Sequence, residues 1–278
     1  MANGTRINQF AEEISQINEI LIEKTNMEKI LILHELLDDT PYKTGNYMQY
    51  DLDEYYIKHQ KEEIIRNKHL DRIKLVPSEN LNRLPLDEVI VTRKSIRDFS
   101  SKKVSFEQFS NILFYAFGKR EHIRGIYDQR NYPLKFSNTQ GGLNHLDIYV
   151  VVNNVEDVNE GLYYYDFIYN QLVCLDKGIM RTILAKIHYQ SEFVVYAAFN
   201  IFIILDLERV VWKYLKRAYR FSHVDTGILL AYLQLVANYH KIGSCAVAGY
   251  LEHELENFLG LNEHEIPILS IAFGKKTE

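Results

Sequence analysis

The nine residues from Lys213 to Phe221, KYLKRAYRF, bring four cations and two phenols together in one short stretch. A basic cluster of this kind can hold an anion or a polarised substrate, and an amine beside a phenol, Lys213 next to Tyr214, can take up or share a proton. The cluster leads into Val224 to Tyr239, where Ile228, Leu229, Leu230, Leu233, Leu235 and Val236 leave almost no polar face. That is the pattern of a helix at the centre of a core. First-turn N–H groups and the helix dipole would also favour negative charge there. A solvated basic turn ahead of a core helix is the alternative reading of the same residues.

Three other stretches carry candidate chemistry. In Arg93-Lys94-Ser95-Ile96-Arg97-Asp98-Phe99, two arginines flank a serine, and guanidinium forks match phosphate oxygens. In Asn138-Thr139-Gln140-Gly141-Gly142-Leu143-Asn144, paired glycines let the backbone approach a flat ligand whose polar edge the amides and hydroxyl could bond. Gly243 to Tyr250, GSCAVAGY, is rich in small residues, and its backbone N–H groups could face an anion or a heteroaromatic ring. Each also reads as an ordinary surface turn or strand end.

The elements that must position these stretches are legible in outline. Phe10, Ile14, Ile17 and Leu21 recur at helical spacing. Thr25 and Glu28 form a capping box ahead of Ile30, Leu31, Leu33, Leu36 and Leu37, and each of these two helices is expected to bury one face. Tyr42 to Lys74 reads as a charged, loop-rich arm with a short helix. After Leu84-Pro85, Ser105 and Gln108 cap a helix carrying Phe109, Ile112, Leu113, Ala116 and Phe117, stopped at Gly118. Strands are expected at Leu146–Val152, Ala198–Leu205 and Pro267–Phe273, with a hairpin pairing Gly161–Asp166 and Gln171–Leu175. Helices and strands do not alternate strictly, so the class is α+β. The expected division is residues 1–84 as a helical, loop-rich extension and 85–278 as the main domain.

Composition narrows the function classes. A chain of 278 residues with 47% hydrophobic content can bury a large core. Its formal charge of -5 gives no field that would gather nucleic acid. Two cysteines, Cys174 and Cys245, supply neither a disulfide framework nor a cysteine-rich zinc site, and the ten histidines show no metal-binding spacing, so no metal is expected. The start lacks the basic and apolar blocks of a signal peptide, and the run Phe193–Leu205 falls short of the ~18 apolar residues of a membrane span. A cytoplasmic protein is expected. Tyrosine is abundant at 20 residues, a count that suits pockets and cores alike.

Taken in order, the four stretches resemble the nitroreductase superfamily of FMN proteins, and within it the SagB-type azoline dehydrogenases of thiazole- and oxazole-forming peptide biosynthesis. Arg93, Ser95, Arg97 and Phe99 follow the opening pattern. Gly161-Leu162-Tyr163-Tyr164-Tyr165-Asp166 follows the Tyr-rich hairpin. Lys213, Tyr214, Arg217, Tyr219, Arg220, Asp225 and Gly227 follow a Lys-Tyr pair, an Arg-x-Tyr-Arg and an acidic-x-Gly helix start. The departures are Asn138-Thr139 for Pro-Ser, Asn144-His145 for Tyr-Pro, and Ala231-Tyr232 for Gln-Asn.

The resemblance implies a nitroreductase-like fold with a central, mostly antiparallel sheet. It implies that Arg93, Ser95 and Arg97 hold FMN by its phosphate and ring edge, with Arg217 also on the cofactor side. Thr139, Gln140 and Gly141 would lie along the isoalloxazine, Ala248 and Gly249 would offer amides to its reactive nitrogen, and Lys275 is a further phosphate candidate. Lys213 and Tyr214 would be catalytic on the substrate side, Lys213 acting as a base if burial and the cations Lys216, Arg217 and Arg220 favour its neutral form. The implied partners are a precursor peptide, a cyclodehydratase complex and a second copy in a homodimer. Two alternatives stay open: a general NAD(P)H-dependent nitro or ene reductase, and a non-catalytic scaffold subunit of a peptide-modifying complex.

Overall fold

The computed structural model describes residues 21, 24–37, 58–79, 81, 84–123, 132–188 and 192–277. The chain divides into two units, Met1–Tyr50 and Asp51–Glu278. In the first, helix α1 (Asn26–Leu36) starts at the capping box that the sequence predicts. Glu28 N donates to Thr25 Oγ1 at 3.3 Å and Thr25 N donates to Glu28 Oε2 at 2.8 Å. The expectation that this helix buries a face fails, since none of its residues is buried and Met27, Ile30, Leu31, Leu33 and Leu36 are exposed. The earlier pattern from Phe10 to Ile17 lies outside the described residues.

The second unit opens with helix α2 (Glu62–Arg66) and strand β1 (Arg72–Lys74), followed by helices α3 (Leu86–Thr92) and α4 (Phe106–Phe117). Strands β2 (Lys119–Ile123) and β3 (Tyr132–Lys135) pair with each other, and a 3-10 turn occupies Gln140–Gly142. Then come β4 (Leu146–Val152), β5 (Gly161–Asp166), β6 (Gln171–Lys177), helices α5 (Arg181–Ile187) and α6 (Phe193–Tyr196), and β7 (Phe199–Asp206). Helices α7 (Glu208–Tyr214) and α8 (Arg217–Tyr239), strand β8 (Ile242–Val247), helix α9 (Glu252–Leu259) and strand β9 (Glu265–Lys275) complete it.

Seven of these strands form one sheet in the order β1-β6-β5-β4-β7-β9-β8, and every pairing in it is antiparallel. The α+β class and antiparallel sheet follow the sequence reading. β4 is buried along its whole length because helices cover both faces. Ile148, Val150 and Val152 meet Phe109, Ile112 and Leu113 of α4 and Leu229 and Leu233 of α8. Tyr149 and Val151 face the other way, toward Met180, Leu184 and Ile187 at α5 and Leu255 and Leu259 of α9. The tyrosines of β5 belong to this core, with their hydroxyls satisfied: Tyr164 donates to Asp147 Oδ1 at 2.6 Å and Tyr165 to Asn170 Oδ1 at 2.7 Å.

Two features depart from the sequence reading. β1 and α2 lie ahead of the boundary expected after Leu84, yet both belong to the second unit, β1 through its pairing with β6. Helix α8 is longer than the apolar run and is not central. Its buried stripe is Ala218, Ser222, Asp225, Thr226, Leu229, Leu233 and Ala237, while Val224 and Tyr232 are exposed. The apolar run misleads because Leu230, Leu235 and Val236 are only half-buried, and Val224 and Tyr232 within the same run face solvent. No helix among the described residues is long and apolar enough to cross a membrane.

A buried histidine gives the fold a testable acid sensitivity. His188 bridges Leu184 O at 3.2 Å and Ser270 Oγ at 3.0 Å, and burial pushes its imidazole down to about 4. The native state therefore holds it neutral, and the unfolded chain binds the proton first. Stability is fully present above the ordinary histidine value and falls as pH drops from ~6.5 to ~4, by on the order of 3 kcal/mol. In urea titrations the stability advantage of the wild type over His188→Gln should shrink by about that amount across the window. A pH-independent difference would contradict the assignment.

Candidate functional site

The amine and phenol singled out by the sequence end one helix rather than begin the next. α7 stops at Tyr214 because Leu215 takes a positive φ of 48°, with its N–H on Val211 O at 2.8 Å, and α8 starts at Arg217. This break splits the basic cluster between two helices, so Lys213 and Tyr214 are not at a helix N-terminus. Tyr214 is held edge-on against Phe221 at 5.1 Å between ring centroids. The Lys213 ammonium lies 5.1 Å from the centre of the Tyr214 ring.

Both side chains end over Gly141. A Cβ built on that residue would clash with Lys213 Nζ and with the Tyr214 hydroxyl. Gly141 and Gly142 have φ values of 61° and 71°, so the turn also needs residues without a Cβ for its backbone. Thr139 Oγ1 donates to Leu143 O at 2.7 Å and Tyr132 OH to Gly142 O at 2.8 Å, closing the turn from both sides. The Gln140 amide donates to both oxygens of Asp225, at 3.1 and 3.0 Å. The family-like Asp225 is thus two turns inside α8 and not at a helix start.

Behind the turn lies a buried set of charges that the sequence did not reveal. His145 Nε2 stands 3.2 Å from Asp225 Oδ2, both side chains being closed to solvent. Burial lowers the His145 imidazole below its usual value, against the pull of Asp225. Lys135 of β3 lies with its ammonium 4.3 Å from the Phe117 ring centre, and burial pushes it down to about 7, with Arg209 adding to the shift and Asp147 and Asp225 opposing it. Its strand gives no hint, since a lysine beside Leu134 and Phe136 reads as the outward phase.

The second group runs along the sheet edge. Ser95 bridges Ser244 of β8 in parallel sense, Ile96 N donates to Ser244 O at 3.0 Å, and Ser100 N donates to Lys275 O at 2.9 Å. Ile96 and Phe99 lie where Cβ atoms on Gly243 and Gly274 would stand, so two glycines admit the segment flat against β8 and β9. Ser95 and Arg97 are exposed and Arg93 is half-buried at the end of α3. Burial raises the Cys245 thiol there, while Arg97 and Ser95 act to lower it. Ala248 and Gly249, exposed, follow β8 directly.

The structure therefore joins Lys213 and Tyr214 to Gly141, and Ser95 and Arg97 to β8. It places the two groups apart, since β4, which the turn enters, and β8 are three strand steps from each other, roughly 14 Å. Lys275 turns away from Ser95, its ammonium donating to Gln108 Oε1 at 2.7 Å. Gln108 lines a cavity of about 310 Å³ together with Leu84, Tyr239 and His240. Arg217 is half-buried at the first position of α8, and Arg220 is exposed with its guanidinium 6.0 Å from the Phe221 ring.

The family model described as the nitroreductase family matches residues 90–275, two thirds of the chain. The chain belongs to the nitroreductase family. Its members are FMN-dependent oxidoreductases. The chain is 27% identical over 200 residues to a Methanocaldococcus jannaschii protein named as a nitroreductase, a match covering 72% of this chain and 95% of that one. Among solved structures, an Anabaena variabilis protein described as a nitroreductase superposes with a TM-score of 0.63 at 23% identity. That match takes in 76% of this chain but only 42% of the Anabaena chain. A chain of the E. coli microcin synthetase McbBCD complex with truncated pro-MccB17 bound matches at TM-score 0.54 and 16% identity, covering 94% of this chain and 98% of that one. At these identities the structural likeness speaks for the nitroreductase fold.

The donors suit the FMN of this family. Guanidinium groups, a serine hydroxyl and exposed backbone at Ala248 and Gly249 are the kinds of group that bind a phosphate and a heteroaromatic edge, and a Cβ at Gly249 would meet nothing within 4 Å.

Two outcomes follow from this nitroreductase geometry. Gly141→Ala should lower stability by ~1–2 kcal/mol through its positive φ alone, and should drive Lys213 and Tyr214 apart, which a crystal structure of the variant would display. Lys135→Met should raise stability at pH 7 by ~1–4 kcal/mol, because a buried ammonium is replaced by an apolar chain of similar length. The lysine's native value is depressed, so wild-type stability climbs from pH ~7 toward ~10.5 and the variant's advantage fades over that range. Guanidinium titrations at pH 7 and 9.5 check both the sign and the fading. A destabilised Lys135→Met at pH 7 would mean that the ammonium is a net stabiliser of Asp225.

Proposed function

We propose that this nitroreductase-family protein is an FMN-dependent azoline dehydrogenase, oxidising thiazoline or oxazoline rings to thiazole or oxazole in a ribosomally made peptide. The observation that carries the reading is the meeting of the Lys213 amine and the Tyr214 hydroxyl above Gly141. Aromatising an azoline removes a proton from one ring carbon and a hydride from its neighbour, so a base must face the ring. Bound FMN supplies the two-electron acceptor, restored by dioxygen. Lys213 takes the proton as the neighbouring C–H bond breaks, and Tyr214 orients the ring and shares the proton. Arg93, Ser95 and Arg97 would hold the cofactor's phosphate and ring edge, with Arg217 and Lys275 as further cations. Thr139, Gln140 and Gly141 would serve its ring system, and Ala248 and Gly249 would offer it backbone groups.

The near-complete overlap with a microcin synthetase chain supports the peptide substrate, since it extends to residues ahead of those matched by the family model. In this reading residues 85–278 supply the flavin-binding part and 1–84 the extension, whose Arg72–Lys74 adds a strand to the same sheet. The protein works in the cytoplasm as a homodimer on a precursor peptide, beside a cyclodehydratase. A second reading, a general NAD(P)H-dependent reductase, is favoured by the nitroreductase name of the M. jannaschii relative.

The test uses the purified full-length chain and its visible spectrum under anaerobic mixing. An azoline-bearing peptide should bleach the flavin, and NAD(P)H should not do so at a comparable rate. Lys213→Ala and Tyr214→Phe should keep their flavin while turnover falls about 10²–10⁴-fold. Bleaching by nicotinamide alone would assign the general reductase. A colourless protein that ignores added FMN, and that loses nothing in Lys213→Ala, would point to a scaffold subunit.

A further inference from the structure

Helix α8 ties together the two sides of the amine–phenol pair. It starts at Arg217, just past Tyr214, and carries Asp225 two turns further on, roughly 12 Å along its axis. Asp225 is wholly closed to solvent. Both of its oxygens accept from one donor, the Gln140 amide. The next residue is Gly141, under the Lys213 and Tyr214 tips. The carboxylate therefore grips the turn from the same helix whose Phe221 holds the Tyr214 ring. A carboxylate closed to solvent is held only by protein groups, and His145 Nε2 stands 3.2 Å from its Oδ2. Lys135 from β3 and Arg209 from α7 supply positive charge nearby, and Asp147 of β4 the opposing charge.

We propose that Asp225 is a positioning residue that, through the Gln140 amide and with His145 behind it, sets the height of the Gly141 turn and thereby the spacing of Lys213 and Tyr214. This deepens the dehydrogenase reading and rests on it for its catalytic consequence, though not for its geometry. If the carboxylate merely stabilised the fold, its loss would lower stability and leave the pair where it is. If it positions the pair, its loss moves the pair in a protein that still folds.

The experiment pairs Asp225→Ala with Gln140→Pro, which deletes the same hydrogen bond from the other partner and leaves the buried carboxylate in place. Proline is admissible because Thr139 before it is already extended, at φ -133° and ψ 159°. Lysines of the full-length protein are tagged by reductive ¹³C-methylation, and the Lys213 signal is identified by its absence in Lys213→Arg. In both variants that signal should move toward the position of a freely exposed lysine, and Asp225→Asn, which retains one acceptor oxygen, should restore it. On azoline peptide, kcat should fall about 10- to 100-fold with KM changed less than about threefold. In a Lys213→Ala background, Asp225→Ala should cost less than about threefold more. An unmoved Lys213 signal in the folded variants overturns the proposal whatever the activity, and so does full additivity with Lys213→Ala. A moved signal in a protein that never oxidises azolines overturns the dehydrogenase reading and leaves the positioning role standing. Should Asp225→Ala fail to fold, Gln140→Pro decides the same question alone.

Discussion

A carboxylate shut away from water must find its donors inside the protein, and four such groups among the described residues organise this fold. Asp147 takes two bonds from Arg209 and one from the Tyr164 hydroxyl. Glu265 is met by Lys61 at 2.7 Å and by the Asn262 amide at 2.8 Å. Asp166 is met by Gln60 at 3.0 Å and Gln171 at 2.8 Å. Asp225 has Gln140 and His145. Leaving a buried charged group short of a hydrogen-bond partner costs at least about 1–3 kcal/mol, so each of these contacts holds a segment in place. Gln60 and Lys61 fasten the chain ahead of β1 to the sheet. Gln140 fastens the turn that carries Gly141. The acidic trio Asp147, Asp206 and Glu265, close enough in space to suggest a cation, already surrounds Arg209 and Lys61.

How much of this was legible beforehand depended on whether the signal was local. Capping boxes at Thr25 and Ser105 involve residues three apart, and both formed as read. The Tyr-rich hairpin and strands β4, β7 and β9 announce themselves by continuous apolar runs. β1 does not, because Arg-Ile-Lys becomes a strand only by pairing with β6, some hundred residues later. The long α8 was misread for a related reason: its buried stripe includes Ser222, Asp225 and Thr226, polar residues whose place inside is decided by neighbours from other elements. Of the site, Lys213, Tyr214 and Gly141 were picked out by type and spacing. Their meeting was not visible, since it depends on the positive φ at Leu215 that ends α7.

Small residues do two different jobs in the two halves of the candidate site. At Gly243 and Gly274 the missing Cβ makes room for Ile96 and Phe99, so that the arginine-serine segment lies along β8 with Ser95 and Arg97 outward. At Gly141 it makes room for the amine and the phenol themselves. The first arrangement lets a neighbouring segment lie flat on the sheet edge, and the second lets two polar side-chain tips meet over one turn. Lys275 is one residue from the bridged segment, and its ammonium meets the capping glutamine of α4.

The departures from the family pattern can be weighed against what now occupies those places. Thr139 uses its hydroxyl to close the turn on Leu143. Asn144 donates to Pro133 O at 3.1 Å and accepts from Arg209 at 3.1 Å, joining β3 to the buried charge network. His145 faces Asp225. None of the three is left as a gap: Thr139 and Asn144 bond within or behind the turn, and His145 stands against the buried carboxylate. A proline at position 145 would offer Asp225 neither a ring nitrogen nor a donor, so the carboxylate would face the amide of Gln140 alone. In place of a rigid proline ring the altered motif thus sets a buried histidine 3.2 Å from a buried carboxylate. A turn held by polar contacts keeps its shape only while those contacts are made.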